Sequence, residues 1–469
     1  MSIRFDLSQL CPFVKEIRDL LAPEPVYLVG GMVRDSILEG YRRGEDIPDL
    51  IHGEDWDLAT RCRPRTVLAT LRSAGITAIP VGIEHGTVMA VRERLNVEIT
   101  TFRSDGIYED GRHCQVTFAD SIEEDLERRD FTINALAVDL SSGEIMDLFN
   151  GLEDLRKNVI RAVGDPDRRF AEDYLRMLRA TRLAAKTEAT VEANTLEAIR
   201  RHAPKIQNIS AERIRDELLK LMTCPRPSYG LLLMKKTGLM HEILPELEAC
   251  FGVEQNQFHS DDVGMHSLKT ADAIHPRYPL LRLIALFHDL GKPERKRWMK
   301  DQEDYVFYGH QFSSADKAAA ILNRLRFPTR DIDLARQMIE NHMVPLGPDA
   351  SAGSIRRLMR RVGRENIRSF LRIRIADRKA NTLKGPGLEP GLYHVIRTIR
   401  RIERDMDALK ITDLAIGGKD LIEMGLSPGP IFSDILHTLL ERVLDDPSLN
   451  TREFLLPLAK DLARAKGKK

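Results

Sequence analysis

At 469 residues the chain is too long for one hydrophobic core, and at roughly 100 to 200 residues per domain it should divide into about three or four units. Lysine plus arginine and aspartate plus glutamate both total 71, so net charge says nothing about a polyanionic partner, while 42% hydrophobic and 30% charged residues are ordinary for a soluble globular protein. No run reaches the roughly 18 apolar residues of a membrane span. The N-terminus reads as an amphipathic helix and not as an export signal, and the five scattered cysteines (Cys11, Cys62, Cys114, Cys224, Cys250) form no CxxC pair, which argues against a zinc ribbon or a disulfide framework. The expected compartment is the cytoplasm.

Between residues 26 and 150 the apolar residues come in short runs broken by turns: VYLVGG, ITAIPVG, GTVMAV, NVEITTF, CQVTFA and ALAVDL. This predicts an α/β region with a small mixed sheet, its helical period clearest in MVRDSILEG and TVLATLRSAG. From about residue 165 apolar residues recur at three and four, as in EDYLRMLRATRLAAK and PLLRLIALFHDL, which predicts an all-α remainder. Proline and glycine clusters at 224–230, 381–390 and 425–430 mark joints. The expected parts are a head over 1–150, a helical neck over 151–225, a helical body over 226–380 and a helical tail over 381–469.

Four segments carry candidate chemistry. Gly30 and Gly31 stand where a strand turns into a helix, and exposed amides there, with Arg34 on the first turn, suit a triphosphate; by itself such a pair is more often only a turn. Asp55 and Asp57 are separated by one residue, so on a strand both carboxylates face one side, an arrangement that divalent cations make tolerable. Glu98, on another predicted strand, can complete such a site; an isolated DxD, however, is commonly a surface loop. Arg128 and Arg129 suit phosphates, and Asp130 can accept from a ribose hydroxyl, with Asn134 four residues on; a structural salt bridge explains the same residues. Glu172, Asp173 and Arg176 fall one helical turn apart, followed by Arg179 and Arg182, and an Asp with an Arg can imitate a Watson–Crick edge; an i, i+3 salt bridge is the alternative.

Together these segments resemble the class II tRNA nucleotidyltransferase and bacterial poly(A) polymerase family, of the DNA polymerase β-like nucleotidyltransferase superfamily. The resemblance runs in order through Leu28–Leu38 with Asp55 and Asp57, Arg128–Asn134, the segment DLFNGLEDL, Arg169–Arg179 and ISAERI. It implies a polymerase β-like head, Mg²⁺ ions held by Asp55 and Asp57, and CTP and ATP added to the 3′ end of tRNA. Asp173 and Arg176 would read the base, and the polar loop 104–112 would adapt the pocket from C to A. An A-adding or CC-adding enzyme and a poly(A) polymerase remain open. The expected assembly is a monomer or homodimer, away from membranes.

Further along, His266, His288-Asp289 followed by Gly291-Lys292-Pro293, His310, His342 and Asp377 resemble the HD phosphohydrolase superfamily, which implies an additional divalent metal and, as a reading of a different class, a phosphohydrolase. An arginine-dense stretch that includes Arg357, Arg361, Arg364, Arg368 and Arg372 is a candidate RNA-binding surface, or simply a solvated helix face.

Overall fold

Five of the six apolar runs form strands of one mixed sheet, because short β-branched segments between turns bury one or both faces without the length a helix needs. In the computed structural model residues 4–44, 55–105, 116–381 and 390–466 are described; most of the 104–112 loop, the glycine-proline joint after Asn381 and the end of the basic tail lie outside them. The strands up to residue 147 are β1 (Val26–Val29), β2 (Asp55–Thr60), β3 (Thr77–Gly82), β4 (Thr87–Arg92), β5 (Leu95–Thr101), β6 (Arg103–Asp105), β7 (Val116–Phe118), β8 (Leu136–Asp139) and β9 (Ile145–Asp147). The sheet runs β3-β4-β5-β2-β1-β8-β9, and β6 pairs with β7 in a separate hairpin.

Register in this sheet decides the chemistry. Strand β2 lies parallel to β5 with Asp57 directly opposite Glu98, and antiparallel to β1, whose end leads into the helix Gly31–Arg43. That helix buries Val33 and Ile37, and the sheet buries Leu28, Leu58, Val97 and Val138, so the strand ends bearing polar residues are anchored by apolar neighbours.

The chain forms two compact units, Met1–Pro245 and Glu246–Lys469. In the first, the sequence expectation of one helix carrying Glu172, Asp173 and Arg176 needs correction. The helix Pro166–Glu172 stops, Asp173 adopts extended backbone, and a second helix runs Leu175–Thr187. Asp173 itself is the cause: its Oδ1 accepts from the Leu175 amide at 3.1 Å, the local hydrogen bond by which aspartate favours helix starts over interiors.

The second unit is almost wholly helical. Its arginine-dense stretch is likewise not one helix: Ala352–Val362 and Ile367–Ala380 are separated at Gly363, whose φ of +86° only glycine adopts readily. Among the described residues no helix is long and apolar enough to cross a membrane.

A nucleotide cleft in the first unit and a histidine cluster in the second

Gly30 has φ +75°, and a Cβ built on it would stand 2.8 Å from Asp57 Oδ2. The tight turn and the carboxylate therefore share one point, and only glycine permits both. Asp57 stands beside Glu98 across parallel strands. Burial, then the Asp57 charge, pushes the Glu98 carboxyl above its usual range, with Arg103 opposing. Two carboxylates held this way are a fit for divalent cations. Asp55 opens β2 opposite Asn96; its side chain lies outside the described part of the structure.

Gly30, Asp57 and Glu98 line a cleft of about 360 Å³ together with Gly31, Arg34, Arg128, Arg129, Asp130, Asn134, Arg176, Arg179 and Arg182. Seven arginines face three carboxylates among its described lining residues, an excess that suits a triphosphate. The arginines are braced by a connected network. Arg34 donates to Asn134 Oδ1 at 2.7 Å, Asn134 donates to Asp130 Oδ1 at 3.0 Å, and Arg179 lies 2.9 Å from Asp130 Oδ2. Burial pushes the Asp130 carboxyl up, but the Arg179 charge and the Asn134 hydrogen bond outweigh it and hold Asp130 ionised. The Nε atoms of Arg129 and Arg179 are buried without a hydrogen-bond partner, an arrangement folded proteins seldom leave unless a ligand completes it.

Arg176 is buried, and its guanidinium donates to Glu172 Oε2 at 2.6 Å, to the Arg169 carbonyl at 3.0 Å and to the Arg128 carbonyl at 3.1 Å. Glu172 and Asp173 are not among the cleft's lining residues: Glu172 holds Arg169 and Arg176, and Asp173 Oδ2 accepts from Arg213 at 2.7 Å. Arg182 lines the cleft, yet its Nε is 2.6 Å from Glu217.

Sequence reasoning missed Asp125. It is 1% exposed, and its Oδ1 accepts from Arg128 at 2.7 Å while Oδ2 accepts from Arg129 at 3.1 Å, so one buried carboxylate aligns both arginines. The signal was present as an acid three and four positions ahead of the arginine pair on a short helix.

In the second unit, five helices and their ends bring six of the singled-out residues together. His288 Nδ1 donates to the Ala285 carbonyl at 2.6 Å, His310 Nδ1 to Phe307 at 2.7 Å and His342 Nδ1 to Ile339 at 2.6 Å. Each ring is thereby turned so that its Nε2 faces Asp289. His310 and His342 Nε2 are 3.3 Å apart and lie 3.3 and 3.6 Å from Asp289 Oδ1, an oxygen that is buried and has no hydrogen-bond partner. On the other side His288 Nε2 is 3.1 Å from Asp289 Oδ2, and His266 Nε2 is 3.0 Å from Asp377 Oδ1. Burial drives His342 down to about 4, so it stays neutral with a lone pair directed inward. Converging lone pairs of imidazole and carboxylate are a fit for divalent transition ions. Lys292, also missed as a site residue, places Nζ 2.6 Å from Asp289 Oδ2. Gly291 between them is required by close approach, since a Cβ would lie 2.6 Å from the His310 carbonyl. The cluster opens into a cavity of about 580 Å³.

The proposed RNA-binding arginines are mostly engaged within the protein. Arg357 pairs with Glu441 and Asp445, Arg364 donates to the Asp407 carbonyl, Arg368 pairs with Glu403, and Arg372 stacks over Tyr278 at 4.5 Å. Arg361 borders a separate polar hollow.

A mixed sheet presenting paired carboxylates beside a glycine turn and an arginine-lined cleft defines a nucleotidyltransferase of the polymerase β-like class. Consistent with this, the chain matches the poly A polymerase head domain over residues 26–161, the RNA- and SrmB-binding site of polymerase A over 190–251, and tRNA nucleotidyltransferase domain 2 over 298–459. It is 31% identical over 456 residues to the CCA-adding enzyme of Leuconostoc mesenteroides, covering 96% of this chain and 95% of that one. With the CCA-adding enzyme of Limosilactobacillus reuteri it shares 44% identity over 238 residues, 50% of this chain, so the chain matches about half the length of that relative, 54%. The solved Bacillus stearothermophilus CCA-adding enzyme in complex with CTP superposes with a TM-score of 0.70 at 29% identity, covering 98% of this chain and 100% of that one. The chain belongs to the CCA-adding enzyme family.

Proposed function

We propose that this chain builds or repairs the 3′ CCA end of tRNA from CTP and ATP, acting in the cytoplasm with Mg²⁺. The observation that carries this is the Asp57–Glu98 register beneath the Gly30 turn, inside a cleft with an arginine excess. Asp55, Asp57 and Glu98 hold the divalent ions. Ions held there would supply Lewis acidity toward the RNA 3′ hydroxyl and would offset charge on the departing pyrophosphate. Arg34, Arg128 and Arg129 position the triphosphate, Asp130 and Asn134 face its ribose, and Asp173 with Arg176 reads the base edge. The 1–150, 151–225, 226–380 and 381–469 segments serve as head, neck, body and tail.

The test supplies tRNAs ending at the discriminator base, at C and at CC with CTP, ATP or both, and sequences the products. Completion of CCA from each end is the expected result. Addition of A only to CC ends, arrest after CC, or long adenylate tails on unrelated RNA would each replace the proposal with the corresponding specialised enzyme. Arg176→Ala should cut discrimination of CTP over UTP by roughly 10-fold or more, since a bidentate base contact is worth about 1–3 kcal/mol. Competition between the two nucleotides in one reaction reads this directly, and an unchanged ratio removes Arg176 from base reading.

A second activity is favoured by Asp289 Oδ1, buried without a partner between two imidazole Nε2 atoms. Under this reading the histidine cluster is a metal-dependent phosphohydrolase site, with Lys292, Arg374 and Arg378 on the cavity wall to receive a phosphate.

A further inference from the structure

With arginines of the helix Ala352–Val362 largely consumed by ion pairs, the neighbouring helix Pro390–Arg404 stands out. Arg397, Arg400, Arg401 and Arg404 are all exposed, as is Tyr393 at 62%. Their spacing of three and four places them along one face, while Val395, Ile399 and Ile402 bury the opposite face. Arg397, Arg400 and Arg401 make no ion pair or hydrogen bond among the described residues, and Arg404 contacts only its neighbour Asp405, at 3.1 Å. A groove of about 960 Å³ follows this face from Tyr393 to Arg404.

We propose that this exposed arginine face of Pro390–Arg404 is an RNA-phosphate contact of the substrate tRNA. The inference rests on reading the chain as a tRNA nucleotidyltransferase. At roughly 1.5 Å of rise per residue, the four guanidiniums span about 10 Å of helix axis. A nucleic-acid strand carries about one charge per 3.4 Å, so some three phosphates fall within that span. The absence of carboxylate partners for Arg397, Arg400 and Arg401 among the described residues leaves these three guanidiniums able to release counterions from a polyanion, and Tyr393 adds an aromatic face at one end for stacking on a base or sugar.

The experiment compares full-length wild type, the triple variant Arg397→Gln/Arg400→Gln/Arg401→Gln, and a control pair Arg357→Gln/Arg360→Gln. Binding of labelled tRNA lacking CCA is measured across about 50 to 200 mM salt, where phosphate contacts dominate the salt dependence. The triple variant should bind about 10-fold more weakly or worse and lose about two to three from the log–log salt slope, at nearly one per phosphate contact. Its KM for CTP and its thermal melting should match wild type. A triple variant with wild-type affinity and slope overturns the assignment, as does an equal loss in the control pair. If wild type adds no nucleotide to tRNA while the triple variant still loses affinity, the functional reading fails and the RNA contact stands.

Discussion

Asp57→Asn is expected to abolish nucleotide transfer while leaving tRNA affinity within about two-fold of wild type, because charge changes at the reacting phosphate act on the transition state and not on distant RNA contacts. Asparagine keeps the packing against Gly30, where Asp57 Oδ2 lies 2.8 Å from a built Cβ, so the variant removes charge and little else. What it removes is the charge that, after burial, pushes the Glu98 carboxyl above its ordinary range. Losing a cation ligand at a phosphoryl-transfer site costs several kcal/mol of transition-state stabilisation, about 10³-fold or more in rate. Single-turnover incorporation of CTP, with tRNA binding measured alongside, checks this. A rate within about 10-fold of wild type would remove Asp57 from the metal site.

The second large effect belongs to the histidine cluster. Asp289→Ala should strip the protein of a bound transition metal, lowering affinity by about 100-fold or more, since loss of even an outer-shell partner costs about 10–100-fold. Asp289 is the shared element: His288, His310, His342 and Lys292 all reach one or other of its oxygens. Elemental analysis after equilibration with manganese, nickel or zinc and desalting supplies the readout. The variant also leaves Lys292 with Gln255 as its hydrogen-bond partner at 2.7 Å, a burden on folding, so His342→Ala serves as the second variant with the same expected metal loss. Wild-type protein that retains no ion under any of these conditions, or variants that retain it fully, would overturn the metal assignment.

The two sites differ in how much of each is written locally in the chain. The Gly30-Gly31 turn, the DxD pair and the Arg128-Arg129-Asp130 segment were legible because each is local: period two on a strand, or a turn meeting a helix, needs only neighbours. The surroundings of the arginine stretch were not legible, for the complementary reason. Periodicity shows where a guanidinium points on its helix but not that Glu441, Asp445 and Asp407 wait on other elements to neutralise Arg356, Arg357 and Arg360, whereas Arg397, Arg400 and Arg401 meet no such carboxylate. The one-helix expectation for Glu172 to Arg176 failed because the Asp173 side chain competes with the helix for the Leu175 amide.

By itself the sequence determined an α/β region followed by a mostly helical remainder, and which residue types carry chemistry, since hydrophobic period and motif order are properties of the chain read locally; the short pairings Val159–Ile160 with Thr190–Val191 and Arg297–Met299 with Asp304–Val306 were not foreseen. Only the tertiary structure decided that Glu98, forty-one positions after Asp57, stands opposite it, that Asp125 aligns two arginines, and that imidazoles separated by as many as 76 positions converge on one oxygen pair. Strand register and helix packing set these distances, and both are fixed by burying apolar faces far apart in the chain.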